Sequence, residues 1–133
     1  MPVTTDELIA HTHSLLNSAS NEAEYRNVIS KGYYGMYHSV LSILDNAPPS
    51  VIGQGVHASL ISYLKSHDVR HSERHNHMSL KALAMVLAQY KDKRVVADYK
   101  LEATVTKEHA EDIANAATRL KDKCDGLVTS LDQ

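Results

Sequence analysis

The sequence predicts an all-α protein, an up-and-down antiparallel bundle of about five helices that forms one domain over residues 1–133. Three observations support this prediction. Apolar residues recur at helical spacing through five long segments. One stretch combines prolines with glycines and is typical of a loop, at Pro48, Pro49, Gly53 and Gly55. The stretch VVADY is typical of a strand, but it lies between lysine-rich helix formers and has no second strand with which to pair.

The first two helices are marked by their N-caps. The first is predicted over residues 5–19, with a threonine as N-cap and acidic residues in the first turn, where they complement the helix dipole. The second begins after Asn21, a favourable N-cap with Glu24 three residues later, and runs to about residue 45. Its apolar face is broad, so we expect it to be the central helix.

The second half of the chain predicts three more helices. A short helix over residues 56–66 is followed by a polar run at 67–77, which we interpret as a loop. The fourth helix starts near Ser79 and continues to Tyr99, because no glycine or proline interrupts it. The segment LEATV then links it to the last helix, which Thr106 caps. Short connections between long helices favour antiparallel neighbours.

Composition restricts the class of protein. Hydrophobic residues make up 43% and charged residues 23%, which is ordinary for a globular domain. The single cysteine, Cys124, cannot form an internal disulfide, and this fits a reducing compartment. The N-terminal sequence has no basic stretch before an apolar run, and no segment approaches 18 consecutive apolar residues. We therefore expect a cytoplasmic protein that does not act at a membrane.

The charge restricts the partners. A formal net charge of -2 argues against a protein that coats nucleic acid through a broad basic face, but it allows a local site. Nine histidines make the net charge sensitive to pH near neutrality.

The predicted central helix contains the sequence KGYYGMYH, with two glycines in its interior. Each of these glycines destabilises the helix by about 1 kcal/mol relative to alanine. One interpretation is close packing against another helix or against tyrosine rings. The other is a groove that admits a ligand or a second subunit beside Tyr33, Tyr34, Tyr37 and His38. Three tyrosines in five positions cannot all face the core, so at least one hydroxyl is expected near water.

The segment HDVRHSERHNH has three interpretations. His67, His71 and His75 follow i, i+4 spacing and would stack imidazoles on one helix face for a metal, although no cysteine completes a zinc pattern. Alternatively, Arg70 is separated by four residues from His75 and by six from His77. Such a pair would serve acid/base chemistry on a ribose hydroxyl and stabilise charge on a phosphate, with no metal or other cofactor. The third interpretation is a solvated polar loop.

The segment KDKRVVADYK places Arg94 and Asp98 four residues apart, beside Tyr99. Such a pair on one helix face is first an ion pair that stabilises the helix by a few tenths of a kcal/mol. The same residues also belong to a recognisable pattern.

The order of these motifs resembles the HEPN-like superfamily (higher eukaryotes and prokaryotes nucleotide-binding domain), in an uncharacterised subfamily. The resemblance covers residues 21–121 and comprises a central-helix motif, a glycine-histidine start to the short helix and an R-x-x-x-D-Y motif. These are Arg26, Ser30, Tyr33, Tyr34 and His38; Gly55 and His57; and Arg94, Asp98 and Tyr99. The resemblance implies a four- or five-helix bundle that dimerises. It also implies metal-independent RNA cleavage in toxin-antitoxin or antiphage systems, nucleotide binding, or pairing with a minimal nucleotidyltransferase.

Two functional hypotheses follow. In the first, a homodimeric endoribonuclease uses His75 or His77 as general acid/base, and Arg70 or Arg94 stabilises the phosphate. Relatives that cleave RNA carry the arginine-histidine motif near the last helices, whereas this chain has Asp98 there and its spaced pair lies one element earlier.

In the second hypothesis, a non-catalytic module binds a nucleotide or a partner protein, such as a nucleotidyltransferase or an antitoxin. The cleft is formed by Tyr33, Tyr34, Arg94 and Asp98, with His38 and Tyr99 beside them.

Overall fold

The computed structural model describes residues 3–131 and confirms the all-α prediction: its described residues form helices and no strand. Residues 3–131 contain six helices, five of them of ten residues or more. They are α1 (Thr5–Ser18), α2 (Glu22–Ser42), α3 (Val56–Lys65), α4 (Val69–Ser72), α5 (His77–Tyr99) and α6 (Lys107–Leu131). The helix α4, a single turn, lies in the segment that the sequence predicted to be a loop. The VVADY stretch belongs to α5, which is continuous as predicted.

The predicted caps are present. The side chain of Thr4 accepts a hydrogen bond from the N–H of Glu7, and that of Asn21 accepts one from Glu24 at 2.9 Å. The Thr106 hydroxyl accepts from the N–H of His109 at 3.3 Å. Each cap satisfies a backbone donor that the first turn of a helix leaves free.

The helix α2 is at the centre and packs against α1, α5 and α6, while α3 packs against α5. Its two glycines face α1 and α6. A Cβ on Gly32 would lie 3.2 Å from Ile113 and 3.4 Å from Thr12, and one on Gly35 would lie 3.3 Å from Ile9. Close helix packing therefore accounts for the glycines, as the first interpretation of KGYYGMYH proposed. The tyrosines of KGYYGMYH lie on the side of α2 that faces away from these glycine contacts.

Arg26 joins α2 to the end of α5. Its guanidinium donates to the carbonyl oxygens of Val96 at 3.1 Å, Ala97 at 3.0 Å and Lys100 at 3.2 Å, and also to Ala103. The last carbonyls of a helix lack partners within the helix, and this mostly buried guanidinium satisfies several at once. The interaction fixes the position of α5 relative to α2.

Candidate functional site

A cleft opens where α2, α3 and α5 meet, and we call it the tyrosine cleft. Its volume is about 320 Å³. α2 supplies most of the wall, α3 contributes its first turn, and α5 contributes one arginine. The lining residues are Ser30, Lys31, Tyr33, Tyr34, Tyr37, His38, Val56, His57 and Arg94. The tyrosine pair and the arginine of the R-x-x-x-D-Y motif therefore lie together, although 60 residues separate them.

Aromatic rings form a continuous wall in the cleft. The ring of Tyr37 meets the imidazole of His57 edge-on, with centroids 4.5 Å apart, and that of His38 at 5.0 Å. The ring of Tyr34 also lies beside that of His38, with centroids 4.4 Å apart, and Tyr34 is 43% exposed. Tyr33 contacts His57 at 5.1 Å and is buried. One tyrosine is thus in the core and one is at the surface.

Burial sets the protonation of this wall. It raises the pKa of Tyr33 to about 12 and also raises the pKa of Tyr37, so both phenols stay protonated at neutral pH. Burial lowers the pKa of His38. It lowers the pKa of His57 as well, and the nearby charges of Arg94, Lys91 and His38 add to that effect. Both imidazoles are therefore favoured in the neutral form.

Two buried polar atoms in this cleft have no hydrogen-bond partner among the described residues: the hydroxyl oxygen of Tyr33 and Nδ1 of His57. Buried side-chain polar atoms in native proteins nearly always have a partner, and one left without costs roughly 1–3 kcal/mol. Both atoms belong to residues that line the cleft. A ligand there could supply the missing partners.

Arg94 is held in place from one side. Its Nε donates to Oδ2 of Asp98 at 2.9 Å, and the Ser30 hydroxyl donates to the same carboxylate at 3.4 Å. The guanidinium carbon lies 5.8 Å from the ring centre of Tyr99, which is itself 69% exposed. Asp98 and Tyr99 thus orient the arginine from outside the cleft lining. No hydrogen bond to the terminal nitrogens of Arg94 is found in the described part of the chain.

The residues of the histidine-rich segment lie in two different environments, one in the core and one at the surface. His75 is only 5% exposed, and its Nε2 donates to the carbonyl oxygen of Ile43 at 3.0 Å. Arg70 and His77 instead line a second, smaller depression of about 190 Å³. We call it the basic pocket, and its lining residues are Leu64, Lys65, Ser66, His67, Arg70, His77 and Lys81. The two candidate arginine-histidine pairs are therefore not equivalent: Arg70 and His77 share a pocket, whereas His75 is held in the core.

The proposed stack of imidazoles is absent from the described residues. Helix α4 covers only Val69–Ser72, too short to align His67, His71 and His75. No group of three or more histidine, cysteine, aspartate or glutamate residues that could hold a metal ion occurs within residues 3–131.

Four cleft residues were not predicted to form it: Ser30, Lys31, Val56 and His57. Ser30 and His57 belong only to the motifs of the family resemblance, and no sequence signal marked Lys31 or Val56. A histidine one residue into a helix is common, so its place in a cleft depends on α3 packing beside α2, which no local pattern reveals.

Comparisons with family models, with curated proteins and with solved structures found no match for this chain. Within the described residues, no helix combines the length and apolar character needed to cross a membrane.

Proposed function

We propose that the tyrosine cleft binds a nucleotide, as a HEPN-like domain would. The base stacks on the exposed aromatic wall at Tyr34 and His38, and the phosphate lies between Arg94 and Lys31. The observation that carries the proposal is the pair of buried, unpartnered polar atoms on Tyr33 and His57. Each can donate or accept a hydrogen bond, which suits the hydroxyls and ring nitrogens of a nucleotide.

The arginine supports the phosphate assignment. Asp98 occupies Nε of Arg94 and leaves the outer edge of the guanidinium for a ligand. Such an edge matches two oxygens of a phosphate, and a charge-assisted pair of hydrogen bonds is stronger than a neutral one. Lys31 is exposed on the same wall and makes no ion pair within the described residues. Together they offer positive charge in a chain whose net charge is negative.

Calorimetric titration with the four ribonucleoside monophosphates, and with inorganic phosphate, tests this function. We expect at least one nucleotide to bind, and Arg94→Gln to weaken it about 10- to 100-fold, because a hydrogen bond to a charged group contributes roughly 1.5–3 kcal/mol. Arg119→Gln is the matched control, since Arg119 is an exposed arginine on α6 that makes no ion pair in the described chain. Absence of binding by the wild-type chain, or equal loss in both variants, would contradict the proposal.

A second candidate function is metal-independent RNA cleavage in the same cleft, because two imidazoles contact one tyrosine ring beside a guanidinium. One neutral imidazole would take the proton of a ribose 2′-hydroxyl, whose oxygen then attacks the neighbouring phosphorus. A protonated imidazole would give its proton to the leaving 5′-oxygen as the P–O bond breaks, and a cyclic phosphate forms. Because the pKa of His38 and that of His57 are lowered, maximal cleavage is expected below about pH 6.5.

This second function is tested with single-stranded RNA in the presence of a chelator. His38→Ala and His57→Ala should each abolish cleavage, whereas His11→Ala, an exposed position on α1, should not. His77→Ala and Arg70→Ala test the site predicted from spacing. If the wild type does not cleave RNA, or if all variants cleave it equally, RNA cleavage in the tyrosine cleft is excluded.

We also propose that the chain acts in the cytoplasm as a homodimer, beside an antitoxin or a nucleotidyltransferase. The resemblance suggests this assembly. The exposed aliphatic side chain of Val56, which lines the cleft, supports it, together with the exposed side chains of Val51 and Ile52 shortly before it in the chain. Light scattering at micromolar concentration should give twice the monomer mass, and Ile52→Asp should reduce it. A monomer for the wild type would count against the dimer.

A further inference from the structure

The basic pocket contains an excess of positive charge, and none of its cations lines the tyrosine cleft. Lys65, Arg70 and Lys81 are exposed, and none makes an ion pair with a carboxylate in the described part of the chain. No acidic residue lines the pocket, and His67 and His77 complete its polar rim. By contrast, Arg26, Arg74, Lys93, Arg94, Lys107 and Lys121 are each paired with an acid. Convergent cations without counter-charges favour an anionic ligand.

The two pockets lie at opposite ends of one helix pair. The tyrosine cleft is lined by His57 at the start of α3 and Arg94 near the end of α5. The basic pocket is lined by Lys65 at the end of α3 and Lys81 near the start of α5. At about 1.5 Å per residue, eight residues of α3 and 13 of α5 set a separation of roughly 12–20 Å. A single nucleoside monophosphate does not span that distance.

Positive charge continues between the two pockets. Lys91 lies near enough to His57 for its charge to lower the pKa of that imidazole. Along α5, Lys91 lies ten residues after Lys81 and three before Arg94, so at about 100° per residue these cations follow one another around the helix by about 80° and then about 60°. Lys91 also makes no ion pair within residues 3–131. A polyanion lying along α3 and α5 would meet cations at both ends and between them.

We propose that the basic pocket is a second phosphate-binding site for the ligand of the tyrosine cleft, which is therefore a single-stranded oligonucleotide that reaches from one pocket to the other. This inference rests on the proposed nucleotide-binding function. A stacked strand rises about 3.4 Å per nucleotide, so about four to six nucleotides cover the distance. Stacking in the cleft and phosphate contacts along a basic track together are a common way to bind single strands.

The test compares a hexamer with a mononucleotide. Fluorescence anisotropy with a labelled single-stranded DNA hexamer measures binding without turnover, because DNA lacks the 2′-hydroxyl that cleavage would need. The hexamer should bind at least about tenfold more tightly than adenosine monophosphate, measured by calorimetry. The double variant Arg70→Gln/Lys81→Gln should lose that advantage and keep its affinity for the mononucleotide. Arg94→Gln should weaken both ligands.

The salt dependence gives a second readout. Each phosphate contact contributes about 0.7 to the slope of log K against log salt for a single strand, so the double variant should lower the slope by about 1.4. The control, Arg119→Gln/Lys123→Gln, removes the same charge from α6 and should leave the slope unchanged. A hexamer that binds no more tightly than the mononucleotide, or equal losses in both double variants, would overturn the inference and leave the nucleotide site intact. A hexamer insensitive to Arg94→Gln would overturn it too, because one strand would then not occupy both pockets. Failure of the mononucleotide to bind would instead mark failure of the proposed function itself.

Discussion

Two regions of the molecule bring histidine and arginine together, and they differ in whether their buried polar groups have hydrogen-bond partners in the protein. In the segment 67–77 the buried groups bond to the protein itself. The carboxylate of Glu73 accepts hydrogen bonds from the backbone N–H groups of Asp45 and Asn46 and from the Tyr63 hydroxyl, and His75 donates to a backbone carbonyl. This segment therefore fastens the loop after α2 to α3 and α4.

In the tyrosine cleft, by contrast, two buried polar atoms have no partner within residues 3–131. Tyr33 and His57 each carry one, and no hydrogen bond to the terminal nitrogens of Arg94 occurs in the described part of the chain. The difference shows that residue type alone does not identify a site. His75 bonds to the backbone of the protein, whereas Nδ1 of His57 has no partner among the described residues.

The largest expected effect is on stability in the histidine-rich segment. Glu73→Ala should lower the free energy of unfolding by about 3 kcal/mol, because it removes the acceptor of the buried Tyr63 hydroxyl and of the part-buried backbone N–H groups of Asp45 and Asn46, and an unpaired donor costs roughly 1–3 kcal/mol when buried. Urea denaturation measures it, with the exposed Glu102→Ala as control. A loss below about 0.5 kcal/mol would show that this region does not fasten the fold.

A pair of histidine variants compares the two regions directly. His75→Ala should destabilise by about 2 kcal/mol, since it removes a buried ring and its hydrogen bond to Ile43. His57→Ala should cost less than about 1 kcal/mol, because the lost ring takes an unpartnered nitrogen with it. Thermal or urea unfolding of both variants measures the two losses of stability. A larger loss for His57→Ala than for His75→Ala would contradict the difference between the two regions.

Tyr33→Phe should have a smaller effect, and of the opposite sign. It removes a buried hydroxyl that has no partner, so we expect a gain of about 1 kcal/mol in the free energy of unfolding. The same variant should bind nucleotide more weakly, because a ligand partner is lost. Tyr25→Phe, on the same helix, is the control. A loss of stability would mean that the hydroxyl is satisfied in solution.

The smallest expected effect is on the pH dependence of stability. The pKa of His38 and that of His57 are lowered in the fold, so the unfolded chain binds protons more readily than the native one. Stability from these two groups is therefore complete above about pH 6.5 and declines as the pH falls below it. The double variant His38→Gln/His57→Gln should show a shallower decline between pH 7 and pH 5 than the wild type. An unchanged slope would contradict the assigned environment.

The fold could be predicted because its signals are local. Caps at Thr4, Asn21 and Thr106 are set by residues three positions away, and apolar periodicity marked the helices between them. The burial of His75 could not be predicted, since its partner Ile43 lies 32 residues earlier. Helix α4 was missed because one turn is too short to show a period.

The site was predicted in part. The proximity of Tyr33, Tyr34 and Arg94 followed from antiparallel helices and is present, but their role in binding stays a prediction. His57 and the cationic rim around Arg70 depend on how α3 packs against α5. That packing is a long-range property, so spacing along the chain could not reveal it.

The tyrosine wall gives the protein a natural optical signal. The chain has no tryptophan and no phenylalanine, and three of its seven tyrosines line the cleft. Near-ultraviolet absorption and emission therefore come from tyrosine alone, and a large share originates where the ligand is proposed to lie. Occupancy of the cleft would alter the spectrum of the unlabelled protein, with Tyr34→Leu identifying how much of the change that ring contributes.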